Sequence, residues 1–175
     1  MENRELNIKD IAGYLPYGLK YKMPYGLVTE SEPMPFVITD YIDDVCYNIR
    51  RQYKPILRPV SDIYRTITHD GEEITPIVEL AKLVTDCEWS LAVEVGDDDD
   101  DDKFIYAKYD VENWKFFFSE YERAFRFLNH CDCDRWVTNQ YYLFDYLHEL
   151  KIDYRGLIDA GLAIDCNTLE INPYK

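Results

Sequence analysis

Six consecutive aspartates, Asp97, Asp98, Asp99, Asp100, Asp101 and Asp102, form the densest set of ligand-capable side chains in the chain. Carboxylates packed this closely suit a hard cation or a basic protein surface. A calcium loop of the EF-hand type fails on spacing. Counted from Asp97, the position that needs glycine is Asp102, and the closing glutamate would be Lys108. Weak cation binding and an interaction surface stay open beside the plainest account, a solvated, self-repelling loop between two strands.

The second candidate is His130-Cys131-Asp132-Cys133, where His130, Cys131 and Cys133 could ligate zinc with Cys166 or His148 completing the set. A structural zinc site usually shows two close pairs of ligands, and here there is one unusual C-x-C. Redox chemistry would ask for C-x-x-C at a helix start, which is missing too. Nucleophilic catalysis finds four serines, Ser31, Ser61, Ser90 and Ser119, and no G-x-S-x-G elbow. The seven glycines are dispersed, so neither a phosphate loop nor a dinucleotide fingerprint can be built. His69, His130 and His148 fall in a turn, a loop and a polar helix face, where an exposed histidine needs no catalytic role. Among 34 acids nothing selects a working pair. The expectation is no catalytic residue and no cofactor.

Net charge looks like a strong signal for an interaction surface, but its distribution weakens it. The formal charge is −15, yet Asp86 to Asp102 holds nine acids and no base. Without that stretch 25 acids face 19 bases, a net of −6. Sixteen tyrosines beside acids would suit a decoy that competes with nucleic acid for a basic groove. Such a decoy needs Asp40, Asp43 and Asp44 to extend the acidic run into one stripe. Direct nucleic-acid binding is not expected, because no basic stripe is present. Five scattered cysteines make no disulfide framework, no apolar run could cross a bilayer, and no secretory signal is visible, so the expected location is a cytoplasm.

The elements that must position these residues alternate irregularly. Asn7 caps a short helix to Ala12, stopped by Gly13 and Pro16. Two P-Y-G-L pieces flank a strand near Leu19 to Lys22. Phe36 to Tyr41 and Val45 to Arg50 read as strands, and Pro55 to Val60 as extended chain. Ser61 is expected to cap a helix over Asp62 to Ile67, followed by a His69-Asp70-Gly71 turn. Thr75-Pro76 opens a helix to about Thr85, with Ile77, Leu80, Ala81 and Val84 inward. Trp89 to Val95 reads as a strand, and Lys103 to Tyr109 with Trp114 to Phe118 as a hairpin. Ser119 and Glu122 make the signature of a capping box. It predicts a helix from Glu120 with Tyr121, Ala124, Phe125 and Leu128 buried. Thr138 is expected to cap a helix carrying Leu143, Tyr146, Leu147 and Leu150, and Asp153 a second one over Tyr154 to Ala160, ended by Gly161. No linker divides the chain, so the pattern implies one α+β domain over residues 1–175 with a mainly antiparallel sheet.

Three stretches carry a resemblance: NIKDIAGYLPYGLK, ILRPVSDIYRTITHDGEEITPIVELAKL and FDYLHELKIDYRGLIDAGLAIDCNTL. They resemble small uncharacterised proteins of phages, prophages and mobile elements of gut Bacteroides-type bacteria. The resemblance implies an accessory protein in a bacterial cytoplasm, contacting a host or phage protein. It implies no catalytic residue, because the matching positions are caps, turns and core.

Overall fold

The computed structural model describes residues 4–22, 28–30, 52–95, 103–129, 134–138 and 140–174, and they form an α+β fold. The strands expected over Phe36–Tyr41 and Val45–Arg50 lie outside the described residues. So do Asp40, Asp43 and Asp44, the Asp97–Asp102 run and His130–Cys133. Packing divides the chain into two units, Met1–Val60 with Leu147–Lys175, and Ser61–Tyr146.

In the first unit Asn7 caps α1 (Ile8–Ile11) as expected. Its side chain accepts from the Lys9 amide, and Asp10 accepts from the Asn7 amide, both at 3.0 Å. Strand β3 (Lys54–Pro59) is the hub. It runs antiparallel to β1 (Lys20–Lys22), which in turn pairs β2 (Val28–Glu30). It also takes two short parallel partners from the chain's end, β11 (Ile152–Asp153) and β12 (Ile164–Asp165). Ile11, Tyr14, Leu15, Leu19, Tyr21, Leu57, Leu157 and Ala163 close the core against this sheet. Where the β1–β3 ladder stops, the Tyr174 hydroxyl continues it. That hydroxyl accepts from the Lys20 amide (3.1 Å) and donates to the Ile56 carbonyl (2.7 Å).

Two expectations fail in this unit. Residues 154–160 form turns, because Gly156 adopts a left-handed φ of 71° and breaks any helix there. Asp153 still ties the segment, but its carboxylate accepts from the distant Ile158 amide (2.7 Å), outside the reach of an N-cap. His148 is no exposed histidine either. It packs edge-on to Tyr14 and bonds the Tyr154 hydroxyl at 2.9 Å.

The second unit opens with a 3-10 turn over Val60–Tyr64, and Ile67 begins strand β4 (Ile67–His69), where a helix was expected. Asp70 and Gly71, with φ of 50° and 83°, supply the tight turn into β5 (Glu72–Ile74), which claims Ile67 for a hairpin. Helix α2 (Pro76–Val84) follows with Pro76 at its first position and Ile77, Leu80 and Ala81 buried. Val84 is only half-buried.

A five-stranded antiparallel sheet completes the unit: β6 (Ser90–Val95), β7 (Lys103–Tyr109), β8 (Trp114–Ser119), β9 (Ala124–Leu128) and β10 (Asp134–Trp136), in spatial order β10-β9-β8-β7-β6. Strand β9 replaces the helix expected after Ser119. Ser119 Oγ does accept from the Glu122 amide (3.3 Å), but the bond closes a four-residue turn that Arg123 ends at a φ of 51°. Tyr121, expected in a buried stripe, is 97 % exposed at the tip of that turn. Arg126 reaches Glu122 along the hairpin, and the pair is largely covered. Helix α3 (Tyr141–Glu149) starts three residues after Thr138, which is therefore not its cap. The Gln140 carbonyl takes its first helical bond, from the Phe144 amide. No helix among the described residues is long and apolar enough to cross a membrane.

Candidate functional site

The β7–β8 hairpin closes on the pair Tyr109↔Trp114. Side chains on a strand alternate between faces, so Tyr109, Trp114 and Phe116 share one face. The registers Phe116↔Phe127 and Ser90↔Lys108 then bring Phe127 onto that face and set Trp89 beside Tyr109. Trp89 is anchored from the end of α2. Its indole N–H donates to Thr85 Oγ1 (2.7 Å), and Thr85 Oγ1 donates to the Ala81 carbonyl (3.2 Å).

These residues enclose a pocket of about 180 Å3, lined by Thr85, Cys87, Trp89, Tyr109, Glu112, Trp114 and Phe127. Three rings make a curved floor, with Trp89 tilted 40° to Tyr109 and 35° to Phe127 at centroid distances of 5.7 and 6.0 Å. Trp114 stands nearly upright against Phe127, at 82° and 5.9 Å. The rim carries one carboxylate. Glu112 accepts from the Trp114 indole N–H at 2.8 Å, which fixes both the charge and the ring. Loss of hydration at the sheet and the neighbouring Cys87 and Glu112 raise the Tyr109 hydroxyl above its ordinary value, so it stays a neutral phenol.

A bowl of four aromatic rings with one acid at its lip can bind an apolar or cationic group. Its lining holds a thiol, two hydroxyls and a carboxylate; among the described residues no imidazole joins them. On the opposite face of the sheet Glu94 receives both Lys115 (2.6 and 2.7 Å) and the Tyr106 hydroxyl (2.9 Å). The hydrogen bond from Lys115 is the main reason that Glu94 sits below its ordinary pKa, an ion-pair arrangement that bridges strands.

The residues singled out from the sequence do not converge here. Asp97–Asp102, His130, Cys131 and Cys133 lie outside the described residues. Cys166 is fully buried in the first unit, accepting from Asn172 Nδ2 at 3.4 Å, and His148 is held by Tyr154. The pocket was missed, although half of it was within reach. The expected hairpin already pairs Tyr109 with Trp114, whereas Phe127 was hidden by reading its segment as helix. Compared with protein-family models, curated proteins and solved structures, the chain matches none.

Proposed function

We propose that this is an accessory protein of a phage or mobile element, acting in a bacterial cytoplasm by binding a host or phage protein. The aromatic pocket supports the protein-contact part of this reading, because an open bowl of Trp, Tyr and Phe is the kind of surface that anchors a partner side chain. The phage and cytoplasmic parts rest on the resemblance of the three quoted stretches. Further aromatic surface lies in the same unit, with Tyr121, Tyr141 and Tyr142 exposed by 97, 70 and 64 %. Affinity capture from host lysate with the natural chain and with Trp114→Leu tests it. A specific partner should be retained by the first and lost by the second. Equal capture by both would remove the pocket from the account.

The acidic-decoy reading has one observation in its favour. Ser61–Tyr146 contains 21 acids against 8 basic residues, a net of −13, while the other unit holds 13 against 11. Changing Asp97–Asp102 to asparagine should then abolish binding to a basic, nucleic-acid-binding partner while leaving the pocket intact. Unchanged binding eliminates the decoy.

A further inference from the structure

We infer that the pocket receives an alkylated ammonium head, presented as a methylated lysine side chain of the partner; this rests on the protein-contact reading and names its chemistry. Three features point the same way.

The first is shape. A flat ligand such as a base or guanidinium is best held between parallel rings. The lining rings meet at 35°, 40° and 82°, which makes a concave bowl for a rounded group. The second is the character of the walls. Four aromatic rings supply negative quadrupole potential, and of the two hydroxyls in the lining that of Thr85 is already engaged by Trp89 and Ala81. That favours a cation with methyl groups over a bare ammonium, which would lose its water without replacement. The third is charge. Glu112 sits at the rim on the Trp114 indole, and the unit around it carries a net of −13. An anionic or neutral ligand gains nothing from that field, and a cation is drawn into it.

Glu112 allows a clean separation of charge from structure. In Glu112→Gln the side-chain carbonyl can still accept from the Trp114 indole, so the wall stays upright while the charge is removed. The probe is blocked trimethyllysine, with its neutral tert-butyl isostere, unmodified blocked lysine and blocked arginine as comparisons. Binding is read from the indole N–H resonances of Trp89 and Trp114 in the full chain. Trimethyllysine should bind at least roughly fivefold more tightly than the isostere, consistent with a cation–π contribution. Glu112→Gln should weaken it about two- to fivefold, the range of a single exposed charge pair, and leave the isostere unchanged. Trp114→Leu should abolish both.

If the isostere matches trimethyllysine, or arginine exceeds it, the ammonium inference falls while the pocket survives as a contact point. If no probe moves either indole at millimolar concentration, both fall together. Should Trp114→Leu fail to fold, Glu112→Gln, in an exposed turn, still decides.

Discussion

Gly13 shows how one missing side chain shapes the first unit. A Cβ there would stand 2.5 Å from both ring nitrogens of His148. The ring cannot easily yield, because Tyr14 lies edge-on to it at 4.7 Å and Tyr154 bonds its Nε2 at 2.9 Å. Gly13→Ala should therefore cost about 1–3 kcal/mol, the usual penalty for overpacking. Gly18 and Gly161 differ in kind. They have open space around them and left-handed φ of 68° and 69°, so backbone strain alone would penalise a side chain there. Urea unfolding of Gly13→Ala in the natural and His148→Ala backgrounds separates the two causes. Most of the cost should vanish when the imidazole is gone. An equal cost in both backgrounds would show that His148 is not the obstacle.

At the scale of elements, the five-stranded sheet is completed by side chains where its strands run out. Phe118 and Phe125 face each other across β8 and β9. Neither has a full strand partner on its outer side. Tyr64 serves Phe118 on both counts, accepting from its amide (3.1 Å) and donating to its carbonyl (3.2 Å). Gln140 does the same for Phe125, with bonds of 2.8 and 3.3 Å. Both phenylalanines are buried, so losing Tyr64 strands both backbone groups of Phe118, while losing Gln140 strands the Phe125 amide and leaves its carbonyl with the long 3.5 Å bond from the Val137 amide. Tyr64→Phe and Gln140→Leu should each cost about 1–3 kcal/mol. Amide exchange should quicken at Phe118 in the first and at Phe125 in the second. Unchanged exchange at those amides would refute the role.

Gln140 also explains why the helix start was misplaced. Its side chain is committed to Phe125, and nothing in the local spelling advertises a partner fifteen residues away. The two hairpins of this sheet make the same point about legibility. Both have four-residue turns ending at a φ of 51°, on Asn113 in one and Arg123 in the other. Asparagine tolerates that conformation and so marks the first turn. Arginine conceals the second, and Ser119 with Glu122 imitates a helix start. Only the alternation of Phe125 and Phe127 against Phe116 and Phe118, a long-range match, decides for strand. The α+β class, α1, β1, α2 and the first hairpin were legible because caps, prolines and turn residues specify them locally. The pocket was legible only as far as the first hairpin reached.

Across the whole molecule, seven of the sixteen tyrosines fall into two contrasting groups. Tyr121, Tyr141 and Tyr142 face solvent, whereas Tyr14, Tyr21 and Tyr106 are buried and Tyr64 is half-buried. Burial is the main cause that lifts the hydroxyls of these last four above the ordinary 10.0, Tyr64 and Tyr106 to about 12 and Tyr14 and Tyr21 in the same direction. The consequence for stability follows from linkage. Below pH 10 these phenols are neutral in both the folded and the unfolded chain, and their contribution is constant. Above it the unfolded chain ionises first and is favoured, so stability falls as pH rises from 10 through the folded values. Tyr14 and Tyr21 belong to one unit and Tyr64 and Tyr106 to the other, which makes both units sensitive. The net charge of −15, already repulsive at neutral pH, grows in the same direction as tyrosinates form. An alkaline titration followed by phenolate absorbance and far-ultraviolet circular dichroism should show a late phenolate wave, from Tyr14, Tyr21, Tyr64 and Tyr106, that coincides with the collapse of the dichroism. A single wave near pH 10 with the dichroism intact would mean that these four hydroxyls are not shielded as their burial requires.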